Sequence, residues 1–377
     1  MTDEHPTVAP ANLHRRPKGI RKPMRSQAGQ LHEPFEDSAG AWLKILAKYR
    51  QPSFWRSAFE LSVTAVPFAL LWVGAYASLL QDFWPGYILI LPAAAFLLRL
   101  FMIQHDCGHG SFFARRKLDT WTGRALGVLT LTPYDYWRQT HAEHHASAGN
   151  LDKRGIGDIT TLTLEEYRAR SRTGRLAYRL YRHPIVMFGI GPAWLFIFKQ
   201  RLPIEMMRAG ALPWVSTMAT NVAIAIVVGL LMWTIGPIPL LLVHLPIVLL
   251  AGAAGVWLFY VQHQFEETHW SKTGEWKFPR AALHGASHYD LPLVLRWLTG
   301  NIGIHHIHHL SSRIPYYRLP EVLRNHPELV AIGRVTLRQS LECVRLALWD
   351  EQSGRLISFR EAESLGPSIS DRFMRIV

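Results

Sequence analysis

Hydrophobic residues of the 377-residue chain are concentrated in four long apolar stretches, arranged as two pairs. The first pair covers about residues 59–80 and 84–103 and is joined by a very short turn. The second pair covers about residues 213–235 and 238–261 and is joined by a Gly-Pro turn. Each stretch approaches the roughly 20 residues that a helix needs to cross a bilayer. The pattern therefore predicts two transmembrane helical hairpins, that is, four spans.

The rest of the chain divides into segments with different patterns. A patch at 185–198 is apolar but too short to span, and it contains glycine and proline, so we predict that it lies at the membrane interface or re-enters. Residues 1–40 are basic and rich in proline and glycine, which predicts disorder. The domain assignment is then a membrane domain at 41–325 and amphipathic cytoplasmic helices at 326–377. The predicted fold class is an all-α membrane bundle with a cytoplasmic helical cap.

Charge is distributed unevenly along a chain that has a formal net charge of +13 and 49% hydrophobic residues. Lysine and arginine are abundant in the connection between the hairpins and absent from the turns within each hairpin. The positive-inside rule therefore predicts that both termini and the central connection are cytoplasmic. No nucleic-acid-binding motif accompanies the basic residues, so we expect no nucleic-acid partner. The two cysteines provide no disulfide framework.

Histidines form three clusters, and each cluster follows the end of a predicted span on the cytoplasmic side. The motifs are HDCGH, HAEHH and HHIHH, with candidate metal-binding residues His105, His109, His141, His144, His145, His305, His308 and His309. Helical residues at i, i+3 and i+4 share a face, so each cluster can direct its rings to one place. Zinc normally takes only four ligands, whereas imidazole also suits iron and copper. Eight imidazoles therefore favour a centre with two metal ions that activates oxygen.

These three boxes on a four-span scaffold resemble the membrane fatty acid desaturase family and its related hydroxylases. The stretches VQHQFE at 261–266, LHGASHYDLP at 283–292 and TGNIGIHHIHHLSSRIP at 299–315 are similar to bacterial acyl-lipid desaturases. The similarity covers about residues 55–325. It implies that the eight box histidines bind iron, with His263 of VQHQFE as a ninth ligand, while His306 faces away.

The resemblance also implies a reaction and its partners. We expect two iron ions, dioxygen as co-substrate and two external electrons, which together introduce a double bond into an acyl chain. The expected substrate is a membrane glycerolipid, with desaturation of the Δ12/omega-6 or Δ5-like type, bound in an apolar tunnel among the spans. The expected electron donor is a separate ferredoxin, and the expected location is the inner (cytoplasmic) membrane of a bacterium.

Carboxylates near the boxes are expected to orient the imidazoles through their free N–H groups. The candidates from their places in the sequence are Asp106, Glu143, Glu266 and Asp290.

The sequence leaves two alternative functions. A related membrane hydroxylase or oxygenase acting on a lipid or hydrocarbon would have the same histidine boxes, and their spacing does not separate it from a desaturase. A metal transporter would place ionisable residues near the middle of the bilayer. The spans here have almost none, and the histidines gather at the span ends. The transporter is therefore the remote alternative.

Overall fold

The structure, a computed structural model, describes residues 39–365, and nearly all of the predicted disordered segment 1–40 lies outside them. The first half contains helices α1 (Ala39–Leu46), α2 (Phe54–Leu80), α3 (Ile90–His109), α4 (Arg116–Leu129), α5 (Tyr134–Ser147), α6 (Leu164–Ala169), α7 (Arg172–Tyr181) and α8 (Gly191–Ala193), with strand β1 (Leu162–Thr163) before α6. The second half contains helices α9 (Ala211–Ile235), α10 (Pro237–Pro239), α11 (Leu245–His263), α12 (Phe278–His284), α13 (Leu293–Leu298), α14 (His305–Leu310), α15 (Leu319–Asn325), α16 (Leu337–Cys343) and α17 (Phe359–Ser364). Its strands are β2 (His288–Asp290), β3 (Arg334–Thr336), β4 (Leu346–Asp350) and β5 (Arg355–Ser358).

Four helical segments of the described chain are long and apolar enough to cross a membrane. They are Phe54–Leu80, Trp84–His109, Ala211–Ile235 and Pro237–His263. The prediction of two helical hairpins with four spans is therefore confirmed. Large apolar side chains on their outer surfaces are exposed to the surroundings, as expected of helices that face lipid.

Helix α3 is the central helix of the bundle, because it packs against α2, α4, α5 and α11. It also runs beyond the predicted apolar stretch 84–103 and carries the first histidine box in its last turns. Gly110 ends the helix with a backbone φ of +67°, in the left-handed region that glycine adopts at little cost. The rigid span therefore positions His105 and His109 directly.

The apolar patch at 185–198 is helical over most of its length and contains two π-helical turns, Val186–Ile190 and Trp194–Phe198, on either side of α8. Pro192 within α8 has no N–H group and so removes one helical hydrogen bond. The patch packs against α11, where the Phe196 ring lies close to Gly252.

The predicted C-terminal helices are only partly present. The sequence VTLRQSLECVRLALWDEQ, residues 335–352, contains helix α16 and strand β4, and β4 forms a β-hairpin with β5 just beyond it. β4 also pairs in parallel with β1, so it is the central strand of a three-stranded sheet and four of its five residues are buried. The prediction of helices is wrong at β4 and β5, because a short apolar run that is buried on both faces has no periodicity to distinguish a strand from a helix. Residues 366–377 of the predicted helical segment lie outside the described residues.

Candidate metal centre

Four helices carry the nine histidines to one place. The first box is at the end of α3, the second lies in the C-terminal half of α5, the third forms most of α14, and His263 is the last residue of α11. All nine predicted residues are brought together in two groups of ring nitrogens. The first group is His105, His109, His141, His145 and His308, and the second is His144, His263, His305 and His309.

The repeated HxxHH spacing has a geometric explanation in this division. In α5 the i, i+4 pair His141 and His145 belongs to the first group, and the i+3 residue His144 belongs to the second. In α14 the assignment is reversed: the pair His305 and His309 belongs to the second group, and His308 to the first. Each HxxHH helix therefore contributes two rings to one group and one ring to the other. The two groups lie side by side, with His145 and His309 stacked at a centroid distance of 4.1 Å.

The contacts within the first group point to a shared cation. His141 Nε2 lies 3.0 Å from the Nε2 of His105 and 3.1 Å from the Nε2 atoms of His109 and His145. A neutral imidazole has one N–H proton for its two ring nitrogens, so one such nitrogen cannot make three hydrogen bonds to three others. Lone pairs that converge in this way repel one another unless a positive ion lies between them.

The separations in both groups match the ligand shell of a metal ion. In the second group His144 Nε2 is 3.2 Å from His263 Nε2, and His305 Nε2 is 3.0 Å from the Nε2 of His263 and 3.1 Å from that of His309. Ligand atoms about 2.1 Å from an ion lie about 3.0 Å apart in an octahedral shell and about 3.4 Å apart in a tetrahedral one. The observed spacing is closer to the octahedral value. Five or four nitrogens in such a shell leave positions for other ligands.

Burial keeps the imidazoles neutral, which is the form that binds metals. For the box histidines of α5 and α14 that show a resolved shift, loss of solvation lowers the pKa well below the usual value of 6.5, and neighbouring imidazoles lower it further. Neutral ligands do not compensate the positive charge of a bound cation. Metal ions held by these imidazoles would therefore keep most of their positive charge.

An apolar cavity of about 510 Å³ opens onto the histidines. Side chains of α3, α11 and the helical patch 186–198 form its walls, and His105, His141 and His305 lie at its inner surface. Its lining also includes the polar groups of Tyr136 and Lys199. Apolar ligand sites in proteins have volumes of about 300–1,000 Å³. The cavity is where the predicted acyl tunnel is expected, among the spans and the short apolar patch.

Comparison with known proteins assigns the chain to a family. A family model described as fatty acid desaturase matches residues 82–340. A protein of Bacillus subtilis (strain 168) named "Fatty acid desaturase" is 42% identical over 326 residues, which is 86% of this chain and 92% of the relative. The chain belongs to the fatty acid desaturase family.

Other desaturases are more distant relatives. The "sn-1 acyl-lipid omega-3 desaturase (ferredoxin)" of Synechocystis is 28% identical over 225 residues, or 58% of this chain and 61% of the relative. The "sn-2 acyl-lipid omega-3 desaturase (ferredoxin), chloroplastic" of Arabidopsis thaliana is 28% identical over 290 residues, or 71% and 60%. The chain is thus an oxidoreductase of the membrane that desaturates fatty acids.

The desaturase holds two rings of its second group through their outer nitrogens. His144 Nδ1 donates to Asp158 Oδ1 at 2.5 Å, and His263 Nδ1 donates to the carbonyl oxygen of Gly285 at 3.3 Å. A proton on Nδ1 leaves the Nε2 lone pair free to bind a metal. These hydrogen bonds therefore fix the ring tautomer as well as its direction.

Asp158 is the functional side chain that sequence reasoning missed. The preceding residue, Gly157, has a φ of +68°, and an added Cβ would lie 3.0 Å from the Thr140 carbonyl oxygen and 3.3 Å from His144 Cβ. Glycine thus permits the loop to approach α5 closely and brings Asp158 to the ring of His144. No histidine spacing marks this loop, and the only signal is a Gly-Asp pair after the second box.

The carboxylates predicted to orient the rings have a mixed outcome. Asp106 Oδ1 lies 3.4 Å from His105 Nδ1, a long contact, and its other oxygen accepts the Tyr316 amide at 2.7 Å. Among residues 39–365, the side chains of Glu143 and Glu266 are exposed and form no hydrogen bond or ion pair with any of the nine rings. Asp290 forms an ion pair with Arg334 instead. Proximity in sequence was a poor guide here, because α5 and the end of α11 direct these side chains to the surface.

His306 faces away from the other rings of its box, as predicted. Its Nε2 donates to the carbonyl oxygen of Leu329 at 3.0 Å. The start of α14 is held by the Ser287 carbonyl, which lies 3.2 Å from the amides of His305 and His306. Gly303 just before it has no room for a side chain, because a Cβ would come within 2.4 Å of the Tyr289 carbonyl oxygen. This close packing positions the third box of the desaturase.

Proposed function

We propose that the chain is a diiron acyl-lipid desaturase in which the nine histidines hold two iron ions. One observation carries the proposal: two groups of converging imidazoles lie beside an apolar cavity, and His105, His141 and His305 form part of the cavity lining. The first iron would bind His105, His109, His141, His145 and His308, and the second His144, His263, His305 and His309. An acyl chain in the cavity would place its methylenes next to the centre.

The iron supplies the oxidising power that protein side chains lack, because an unactivated methylene has no acidic proton and no leaving group. The balanced reaction takes one hydrogen from each of two adjacent methylenes. Dioxygen is reduced to two waters by those two hydrogens, two external electrons and two protons. The carbon–carbon single bond of the acyl chain becomes a double bond.

The chain's own residues bind the acyl chain, orient the imidazoles and exclude water from the reacting methylenes. The walls contributed by α3, α11 and the patch 186–198 bind the acyl chain by burying its apolar surface and keep water from the reacting methylenes. Asp158 and Gly285 orient two imidazoles through Nδ1. Trp137 stacks on the His141 ring with centroids 4.6 Å apart and fixes it from the cavity side.

The preferred substrate is a glycerolipid, desaturated at the Δ12/omega-6 or a Δ5-like position. Acyl-lipid substrates are supported by the names of the Synechocystis and Arabidopsis relatives. Those two relatives are named as omega-3 enzymes, so an omega-3 product is the second outcome that the experiment below must distinguish.

The proposed electron donor is a separate ferredoxin. The names of the same two relatives include ferredoxin, and the basic surface of the chain suits an acidic donor. We also propose the bacterial inner membrane as location, with the histidine boxes and both termini in the cytoplasm. The support for this orientation is the concentration of lysine and arginine outside the short hairpin turns.

The test is to express the chain in a bacterial host that lacks desaturases and supplies a reduced ferredoxin. Membrane fatty acids are then analysed by mass spectrometry with location of the double bonds. We expect a new unsaturated acyl species with the intact chain and none with His308→Ala, together with lower iron per chain in the purified variant. His183→Ala, an exposed histidine outside both groups, is the matched control.

Each result has a defined meaning. The double-bond position distinguishes the Δ12/omega-6, Δ5-like and omega-3 types. Hydroxylated chains in place of unsaturated ones would assign the protein to the sister oxygenases. Full activity and full iron content in His308→Ala would contradict the ligand assignment.

A further inference from the structure

A second cavity, of about 530 Å³, lies at the N-terminal end of α2 and shares no lining residue with the apolar cavity. Its walls come from α2, α3, α13 and α15, which are far apart in sequence. Five arginines line it, namely Arg56, Arg99, Arg296, Arg318 and Arg324. The acidic side chains in its wall are Glu60 and Glu321, so this arginine-lined cavity has a net excess of three positive charges.

The two acids form ion pairs with three of the five arginines. Glu60 is buried and forms ion pairs with Arg56, at 2.7 Å, and with Arg99. Glu321 forms an ion pair with Arg318 at 3.0 Å. The guanidinium groups of Arg296 and Arg324 have no ion pair or hydrogen bond to any residue between 39 and 365. The N–H groups of two unpaired guanidinium groups thus line a concave surface, and this combination suits the binding of an oxyanion.

Apolar side chains beside the cavity indicate its depth in the membrane. Trp55, next to Arg56 in the first turn of a spanning helix, is 80% exposed. Leu293 and Val294, in the turn of α13 that precedes Arg296, are 71% and 68% exposed. Exposed apolar side chains beside arginines at the end of a span are typical of the boundary between acyl chains and headgroups. The arginine-lined cavity therefore lies at headgroup level.

We propose that the arginine-lined cavity binds the phosphodiester headgroup of an anionic glycerophospholipid that is not the substrate. Arg296 and Arg324 bind the phosphate oxygens, because a planar guanidinium matches them with two parallel N–H groups. Ser53, Asn301 and the Tyr317 hydroxyl also line the cavity and supply polar contacts for the rest of the headgroup. The acyl chains extend along the exposed apolar residues of α2 and α13 into the bilayer. Basic pockets between spanning helices bind anionic lipids in this way.

The same charge would attract an acidic protein, but two features favour a lipid. The arginines line a concave pocket, which can enclose a small headgroup, whereas a protein partner covers a wider area of surface. The exposed apolar residues beside the cavity would also lie in hydrocarbon, out of reach of a soluble protein. A bound lipid would connect α2, α13 and α15, and α13 leads within a few residues to the third histidine box.

The experiment compares lipid binding by the purified full-length protein and two variants. The double variant Arg296→Gln/Arg324→Gln removes the free guanidinium groups, and Arg338→Gln removes one exposed charge outside the cavity. The probe is short-chain phosphatidylglycerol, and native mass spectrometry measures the bound fraction as its concentration increases. For wild type and Arg338→Gln we expect saturable binding of one lipid, with at least a tenfold lower affinity in the double variant, since charge-assisted bonds to phosphate are lost.

Controls separate the lipid from other anions and from misfolding. Inorganic phosphate that competes fully at the same concentration would show a free-phosphate site and overturn the lipid assignment. Equal phosphatidylglycerol affinity in wild type and the double variant would also overturn the lipid assignment. If the double variant in addition had a raised KM for ferredoxin, the cavity would be assigned to the electron donor instead. Size-exclusion profile and iron content check the fold. If the double variant fails this check, the exposed single change Arg324→Gln gives the decisive comparison.

Discussion

The hydrogen bond between His144 and Asp158 offers a graded test of how the desaturase holds its metal. Its donor is buried, its acceptor is a carboxylate, and the two atoms are 2.5 Å apart. A hydrogen bond to a charged group contributes about 1.5–3 kcal/mol, roughly twice the value of a neutral one. Asp158→Asn keeps an acceptor but removes the charge, which costs about 1.4 kcal/mol or a tenfold loss of affinity. Asp158→Ala removes the acceptor and leaves a buried N–H unpaired, which costs about 3 kcal/mol or about a hundredfold.

The assay is retention of iron by the purified protein in a series of chelator concentrations, measured as iron per chain. We expect the chelator concentration at half-loss to fall about tenfold for Asp158→Asn and about a hundredfold for Asp158→Ala, within the range known for residues that orient metal-binding histidines. Glu143→Gln is the matched control, because this acid lies next to His144 but is exposed and contacts no ring. Equal iron retention by wild type and both Asp158 variants would refute the reasoning.

Three further predictions follow from other parts of the structure. Gly255→Phe places a ring in the apolar cavity, where a Cβ at this position meets only Leu98, at 3.6 Å. Overlap between the added ring and a long acyl chain should cost about 1–3 kcal/mol, so the products in a lipid profile should shift to shorter acyl chains. Gly255→Ala is the control, and an unchanged profile for Gly255→Phe would contradict the prediction. Arg99→Leu leaves Glu60 buried without its nearest partner and should cost about 3–5 kcal/mol in a thermal unfolding assay in detergent, while Glu60→Gln/Arg99→Met should lie closer to wild type than the single change. Burial lowers the pKa of His141, His145, His305, His308 and His309 well below 6.5, so these rings take up protons in the unfolded chain more readily than in the folded one. Each of them should therefore lower the free energy of unfolding by up to about 1.4 kcal/mol per pH unit as the pH falls below about 6.5. A melting temperature that stays constant from pH 7.5 to 5.5 would exclude this.

Much of the architecture was predictable because the bilayer imposes a simple rule on sequence. A span needs about 20 apolar residues, and four such stretches correspond to four observed helices. The histidines were predictable because residues at i, i+3 and i+4 share a helix face, and the HxxHH spacing occurs twice in this sequence. The prediction that His306 faces away was also correct, because His306 is the histidine of HHIHH that falls outside the HxxHH spacing shared with the second box.

The features that were missed depend on contacts between distant segments. Asp158 reaches His144 through a loop whose path depends on the left-handed conformation of Gly157, and no local pattern encodes that approach. The strand β4 looked helical because its partner β1 lies more than 180 residues earlier in the chain. The distribution of rings between two groups depends on how α5 and α14 are rotated against each other, which a single helix cannot reveal.

The shared helices have a consequence for how the protein matures. A helix of six residues, such as α14, does not form by itself in water, and its orientation depends on what its side chains hold. In the proposed two-iron centre, an ion bound by His308 would orient the helix that also presents His305 and His309 to the neighbouring ion, and α5 would connect the groups in the same way. Occupation of one position therefore raises the affinity of the other. We expect the desaturase to acquire its metal cooperatively, so that molecules with one ion are scarce at every stage of loading.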